Sequence, residues 1–220
     1  MRTTSWKRAP LVALDLEGTG AQDRDQEAIL EIALVPMHDG QPRPDRAFHT
    51  LINPERHVPS RPWISPGLTN AALAQAPTFE QIAPQLTNRI NGAVLVGHNI
   101  GVDWRLLRRH LPDLQPAGLL DTLRLERHLH GTGKGQSLTN LLDRYQLTER
   151  VTVLVPDGRP HRALWDTIGA ALLLAALIAE LPGPDPTLQR LQHIAAPGLD
   201  GEHARANSHN PGEQTSLMDL

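Results

Sequence analysis

Four carboxylates and one histidine stand at spacings that could hold divalent metal ions. The first two, Asp15 and Glu17, close an otherwise apolar run, LVALDLEGTG, at residues 11–20. Residues two apart in a strand share a face, so both acids are expected to point to one side of the sheet. A pair of this kind also fits a solvated turn after a strand, and both interpretations stay open for the pair alone.

A third acid, Asp103, follows a second apolar strand in the segment GHNIGVDWRLL at residues 97–107. If Asn99 and Asp103 both lie at the start of a helix, they are neighbours on one face. That position is the sheet edge where α/β proteins bind ligands. Structural roles remain open, because Asn is a favoured N-cap and Asp complements the helix dipole. His98 is predicted to be structural.

The fourth acid, Asp166, lies in the nearly apolar segment PHRALWDTIGAALLL at residues 160–174. An unpaired charge is costly to bury there, so Asp166 needs a cation. His161 precedes it by five residues, which on one continuous helix separates the two side chains by about 140°. They therefore converge only if His161 stands before the helix. A surface position at the helix start is the alternative for His161.

Several carboxylates can share one site only if cations neutralise them, and Mg²⁺ and Mn²⁺ prefer oxygen ligands. Two such ions about 3.5 to 4 Å apart could clamp the attacking and leaving oxygens of a phosphodiester displacement. An imidazole, with an ordinary pKa of about 6.5, is suited to take a proton from the attacking water.

The elements that must position these residues follow an α/β pattern. Strands are predicted at residues 11–16, 28–37, 46–52 and 93–99, and helices at 78–90, 100–112, about 120–130, 136–146 and 162–181. This order predicts an α/β layer fold, with a sheet covered by helices on both faces. The residues from 182 onward are rich in Pro, Gly, Asn and His and predict a flexible tail, in which only 188–195 looks weakly helical.

Composition narrows the class of protein. With 220 residues and 40% apolar content, the chain can fill one core, and its net charge of −3 argues against a broad basic surface for nucleic acid. The absence of cysteine excludes disulfides, thiolate zinc sites and thiol catalysis. Because no apolar signal segment opens the sequence either, the cytoplasm is the expected location. The longest apolar run, at residues 167–179, is too short to span a membrane.

The segments DLEGTG, GHNIGVDWRLL and HRALWDT, in this order, resemble the three motifs of the DEDDh (DnaQ-like) 3′-to-5′ exonucleases over about residues 10–181. The resemblance implies an RNase H-like fold, with a mixed central sheet flanked by helices, and two divalent cations, Mg²⁺ or Mn²⁺. It implies that Asp15 bridges both metals, that Glu17 and Asp166 bind the ion that holds the water, that Asp103 serves the second ion, and that His161 is the general base.

The resemblance also implies substrate contacts, with some departures from the family pattern. Gly18 and Thr19 fit a turn that offers backbone donors to the 3′ end, and Asn99 is a further candidate for substrate binding. Val102 replaces a frequent Phe, and Pro66 stands where many members have His. Four arginines could contact phosphates or simply be solvated helix residues: Arg105, Arg108, Arg109 and Arg162.

Three functions are therefore considered. The first is a 3′-to-5′ exonuclease acting on DNA in proofreading or repair, the second is the same chemistry on RNA, and the third is an inactive nucleic-acid-binding scaffold. Within the last residues, QTSLMDL, Gln214, Leu217 and Met218 resemble the peptide by which bacterial polymerases and proofreading subunits dock on the sliding clamp. A chance match is the alternative for so short a motif.

Overall fold

A mixed sheet organises the chain in a computed structural model that describes residues 5–20, 22 and 26–199. Its strands are β1 (Leu11–Gly18), β2 (Ile29–His38), β3 (Gln41–Pro42), β4 (Phe48–Leu51), β5 (Val94–Gly97) and β6 (Gly118–Asp121). The strand order is β3-β2-β1-β5-β6, and β4 also pairs with β2. The β1–β5 and β5–β6 pairs are parallel and the others are antiparallel. The predicted mixed sheet is confirmed.

Helices cover both faces of this sheet, as predicted. They are α1 (Asn70–Leu73), α2 (Phe79–Ile90), α3 (Gly101–His110), α4 (Thr122–His130), α5 (Leu138–Arg144), α6 (Thr148–Leu154), α7 (Ala163–Glu180) and α8 (Leu188–Ala195). Alternate side chains of β1 enter two cores. Leu11 and Ala13 pack with α4, α5, α7 and α8, whereas Val12 and Leu14 pack with α2 and α3.

One strand replaces part of a predicted helix. Residues 118–121 form β6, which is fully buried and pairs with β5, and α4 begins only at Thr122. A short apolar run such as Gly118–Asp121 fits a buried strand as well as a helical turn, so periodicity cannot separate the two. The short elements β3, α1 and α6 were not predicted either.

Helix α7 is apolar on nearly all sides because it is the main helix of one core. The apolar run at 167–179 lies within its 18 residues, and its mean hydropathy of 1.7 makes it the one described helix long and apolar enough to cross a membrane. In the fold it packs against β1 and β2 with most of its residues buried. At Gly169 a side chain would meet α5, because a Cβ there would lie 2.8 Å from Leu142 Cδ1. This burial is that of a core helix.

The predicted flexible tail is wrong for residues 182–199. Here α8 packs against α4 and β6, and Leu191 and Ala195 are fully buried. The carbonyl oxygen of Leu199 accepts hydrogen bonds from Trp104 Nε1 at 3.1 Å and Arg108 Nη1 at 2.9 Å. The segment is held because its apolar residues recur on one helical face. The residues from 200 onward, with the predicted clamp peptide, lie outside the described part.

Candidate active site

The end of β1 holds two acids because it extends past its parallel neighbour. Strand β5 pairs with β1 only at Leu11–Ala13, whereas β2 follows β1 to Gly18. The first four residues of β1 are buried and the last four are partly exposed. Asp15 and Glu17 thus lie at the carboxyl edge of β5, where α/β sheets commonly bind ligands.

Asp103 lies beside the part of β1 that extends past its pairing with β5. Its Oδ1 accepts the backbone N–H of Leu16 at 3.2 Å, a donor beyond the last β1–β5 pair. Since α3 begins at Gly101, directly after β5 ends, Asp103 in its first turn lies at the same sheet edge as the two strand acids. The predicted position of Asp103 in the first turn of a helix is confirmed.

Asn99 does not share a helical face with Asp103, so that expectation is wrong. The residue lies before α3 with a left-handed φ of 60°. Its N–H donates to Asp121 Oδ1 at 2.9 Å, and its carbonyl accepts the Val102 N–H at 3.0 Å. Asn tolerates this conformation better than most residues, which explains its presence in the turn. Asn99 is exposed to solvent.

Asp166 and His161 meet at the start of α7. The helix begins at Ala163, so His161 precedes it, as the predicted convergence requires. The backbone N–H of His161 donates to the Asp166 carboxylate. His161 is exposed and has a φ of 62°, a left-handed conformation that costs free energy and is held by the surrounding structure.

Asp15, Glu17, Asp103 and Asp166 are hereafter called the acid cluster. Carboxylate oxygens of Asp15, Glu17 and Asp166 lie within 4.8 Å of one another. Burial raises the pKa of Glu17 and of Asp166 to about 7 and that of Asp103 to about 8. Burial, followed by repulsion from Asp103 and Asp166, raises the pKa of Asp15 well above its ordinary value. An all-oxygen set of repelling acids fits a hard divalent cation.

The acid cluster is expected to make the stability of the metal-free protein fall with rising pH. When folding raises the pKa of an acid, the protein loses stability as the pH increases from the ordinary pKa of that acid, about 4, through its folded-state pKa. For Asp166 and Glu17 that value is about 7, and for Asp103 about 8. In EDTA, Tm should therefore be lower at about pH 8.5 than at about pH 5.5, and Mg²⁺ should raise Tm more at the higher pH.

Thermal scans of the same preparation at both pH values, with Mg²⁺ or EDTA, measure this dependence. The Asp103→Asn variant, which removes one raised acid, should show a smaller pH effect, and the exposed Asp113→Asn variant should match the parent. An equal Mg²⁺ effect at both pH values would contradict the expectation.

The residue after His161, Arg162, forms a buried ion pair that the sequence did not indicate. Arg162 donates to Glu31 through Nε at 2.7 Å and Nη2 at 2.8 Å, and His49 Nε2 lies 2.6 Å from the same carboxylate. Burial favours the neutral acid, but the hydrogen bonds from His49 and Arg162 outweigh it and lower the pKa of Glu31 to about 2. The available signal was a single charge inside the apolar strand AILEIALVPM.

Replacing Glu31 by Ala should lower the free energy of unfolding by about 3 kcal/mol, because it leaves Arg162 partly buried without its carboxylate. Activity should fall as well, since Arg162 adjoins His161. Urea denaturation measures the stability change. The matched control is Asp45→Ala, which breaks the fully exposed Arg43–Asp45 pair and should leave the urea midpoint unchanged. A Glu31→Ala protein as stable as its parent would refute the role of the pair.

Gly18 and Thr19, the predicted backbone donors of the turn after β1, have different surroundings in the fold. Thr19 is buried, its N–H donates to the Ala28 carbonyl at 3.0 Å, and its Oγ1 accepts the Ala28 N–H at 3.1 Å. Thr19 therefore closes the turn and does not offer its N–H to a substrate. At Gly18, next to an irregularity in the β1–β2 pairing, a Cβ would lie 3.0 Å from the Ala28 carbonyl. A donor that the sequence did not indicate is Ser65 Oγ, 2.8 Å from Glu17 Oε2.

The arginines proposed for phosphate contacts have partners within the protein. Arg105 and Arg109 lie 2.9 Å and 3.6 Å from the buried Glu27 carboxylate, and Arg162 pairs with Glu31. These contacts favour structural roles for the basic side chains of α3.

His98 is structural, as predicted. Its Nε2 donates to the Gln136 carbonyl at 2.9 Å, and its Nδ1 lies 2.9 Å from Thr122 Oγ1. Burial lowers the pKa of His98 to about 4, so it remains neutral near neutral pH.

Comparisons with known proteins agree with this geometry. The exonuclease (RNase_T) family model matches residues 12–174. The chain is 30% identical over 181 residues to a DNA polymerase III subunit epsilon-like protein of Rhodobacter capsulatus, covering 81% of the chain but only 25% of that protein. It is also 30% identical over 216 residues to the DNA polymerase III subunit epsilon of Rickettsia conorii, covering 94% of the chain and 87% of that protein.

Among solved structures, exonuclease X in complex with 5′ overhanging duplex DNA is similar, with a TM-score of 0.60 and 27% identity over 84% of this chain and 98% of that one. A DEDDh nuclease domain bound to rAMP shares the fold with a TM-score of 0.56 and 15% identity, covering 86% of this chain and 96% of that one. The predicted RNase H-like fold is thereby confirmed. The chain belongs to the exonuclease family, within its DnaQ-like, DEDDh group.

Proposed function

We propose that this protein hydrolyses phosphodiester bonds from the 3′ end of DNA, in the cytoplasm and in the service of proofreading or repair. The observation that carries the proposal is the acid cluster, in which three carboxylates converge within 4.8 Å. Asp103 accepts the backbone N–H of Leu16, the residue between Asp15 and Glu17. Family membership supplies the reaction class, and the named relatives include DNA polymerase subunits.

The residues present fit two divalent cations, Mg²⁺ or Mn²⁺. Asp15, Glu17 and Asp166 would hold one ion, and Asp15 with Asp103 would hold the other. Such ions, when bound, lower the pKa of water and neutralise charge that develops on the phosphate. The protein's own part is to fix the carboxylates: Ser65 orients Glu17, and the N–H of Leu16 orients Asp103.

His161 is proposed to accept the proton of the attacking water. Two contacts hold it beside the acid cluster, since its N–H binds Asp166 and the next residue, Arg162, is paired with Glu31. Its side chain remains exposed, so a water molecule can reach it. Gly18, the last residue of β1, and the exposed Asn99, in the turn between β5 and α3, are proposed to approach the 3′-terminal nucleotide.

DNA is favoured over RNA by the relatives with higher identity. The structure at 27% identity is described in complex with duplex DNA, whereas the RNA-related neighbours are near 15% identical and support the fold alone. The test compares 5′-labelled DNA and RNA strands of one sequence, and a DNA duplex with a matched or mismatched 3′ end. Faster cutting of DNA supports the proposal; faster cutting of RNA would transfer the function to RNA, and no cutting would favour a binding scaffold.

We also propose that Gln214, Leu217 and Met218 dock on the bacterial sliding clamp, which would raise the local concentration of the enzyme at DNA ends. A pull-down with purified clamp compares the intact chain with one ending at Glu213. Loss of clamp only in the shortened chain, with unchanged activity on free oligonucleotides, supports docking. Equal retention by both chains refutes it.

A further inference from the structure

One tryptophan differs from the others in its exposure. The protein has four tryptophans. Trp6, Trp104 and Trp165 are at most 5% exposed, whereas Trp63 is 44% exposed. Burying a large aromatic surface is favourable, so the exposed indole of Trp63 leaves apolar surface that a ligand could cover.

Trp63 is held in a fixed position. Its Nε1 donates to the carbonyl oxygen of Thr19 at 3.0 Å. Gly20, with a φ of 90°, leaves room for the indole, because a Cβ there would lie only 2.8 Å from Nε1. The Arg61 guanidinium lies 5.8 Å from the ring centroid, a cation–π distance. The ring therefore remains exposed while its edge is anchored.

The anchor points place Trp63 next to the acid cluster. Thr19, which accepts the indole N–H, is two residues beyond Glu17 in the chain. On the other side, Ser65 is two residues beyond Trp63 and donates to Glu17 Oε2 at 2.8 Å. Two hydrogen bonds thus hold the segment that carries the indole against the end of β1. Thr19, two residues after Glu17, accepts one of them, and Glu17 itself accepts the other.

We propose that Trp63 is a stacking platform for an unpaired base of one of the two nucleotides joined by the bond that is cut. The inference rests on the proposed exonuclease function and adds a determinant of substrate binding to it. An indole face stacks on any base, and a nearby arginine suits a phosphate backbone, so the contact tolerates any sequence. Trp63 binds substrate without touching the reacting atoms.

Kinetics on single-stranded oligonucleotides test the role. Stacking contributes to ground and transition states alike, so Trp63→Ala should raise KM by about 5- to 100-fold with kcat nearly unchanged. Trp63→Phe keeps an aromatic face and should retain most of the affinity even though the Thr19 contact is lost. Val153→Ala removes an exposed apolar side chain from α6, outside the acid cluster, and should match the parent. An unchanged KM in Trp63→Ala would overturn the proposal.

Substrates that lack one base identify the partner of the stack. An abasic nucleotide at one of the two positions flanking the cut should raise the parent's KM to the level of Trp63→Ala, and should add nothing to the variant's KM. If the abasic substitution raised KM by the same factor in Trp63→Ala as in the parent, at both positions, Trp63 would contact neither base. That result would also overturn the proposal.

Fluorescence separates this inference from the proposed activity. Because the other tryptophans are buried, quenching of emission by an added oligonucleotide reports on Trp63. The measurement uses the slow His161→Gln variant, so that the strand stays intact. Quenching that disappears in the His161→Gln/Trp63→Phe double variant supports stacking, whereas no quenching refutes it. Cutting of the strand by the parent, with no quenching, would leave the exonuclease function intact and remove only the role of Trp63.

Discussion

The Asp15→Asn variant is expected to lose nuclease activity by about 10³-fold or more, which corresponds to several kcal/mol of lost transition-state stabilisation. Asp15 lies within 4.8 Å of Glu17 and Asp166 and close enough to Asp103 for the two acids to repel each other. It is therefore the one acid proposed to contact both ions. Asn keeps the shape of the side chain but provides no negative charge to hold them.

The same variant should be at least as stable as the parent in EDTA near pH 8. Burial and repulsion raise the pKa of Asp15, so its ionised form opposes folding. Loss of activity with equal or higher Tm distinguishes a metal ligand from a structural residue. The exposed Asp113→Asn variant serves as the charge-matched control. Residual activity near the parent's level, or a large drop in Tm, would contradict the role assigned to Asp15.

The second large effect is expected at His161. Replacing His161 by Gln should slow hydrolysis by about 10²- to 10⁴-fold, the usual contribution of a general base. Metal binding should persist, since the acid cluster is intact. Single-turnover rates measure the loss, and titration calorimetry with Mn²⁺ measures metal affinity.

The control for His161 is His128→Gln, an exposed histidine on α4, which should behave like the parent. A His161→Gln protein as fast as the parent between about pH 6 and pH 9 would remove His161 from the mechanism. Weakened Mn²⁺ binding, with a matching loss of rate, would instead assign it to the metal site.

The positions of the acids are predictable from the sequence because they follow from local geometry. Two residues along a strand place Asp15 and Glu17 on one face, and a charge among the apolar residues near the start of a helix marks Asp166. Periodicity does not show that these segments meet in the fold. Their meeting was predicted from the resemblance of the three motifs, in their order, to those of the DEDDh exonucleases. The left-handed turn at Asn99 was missed because a residue before a helix can be mistaken for its first turn.

The contacts that support the site are not predictable in the same way. Glu31 and Arg162 are 131 residues apart, and only the fold brings them into contact. Trp63 and Thr19 are 44 residues apart and lie in a turn and a loop without periodic patterns. The weak helical pattern at residues 188–195 is confirmed by α8, but its packing against α4 and β6 was not predicted. Its apolar stripe is short and stands between Pro- and Gly-rich segments, whose composition predicts disorder.

The most direct experiment incubates the purified protein with a 5′-labelled single-stranded DNA, with Mg²⁺ or with EDTA, and resolves the products by length and by chemical identity. Hydrolysis at metals held by the acid cluster predicts a ladder that shortens from the 3′ end only with Mg²⁺, together with release of nucleoside 5′-monophosphates. Asp15→Asn should leave the strand intact. Equal shortening in EDTA, or shortening by Asp15→Asn at the parent's rate, would contradict catalysis by metal ions bound to the acid cluster.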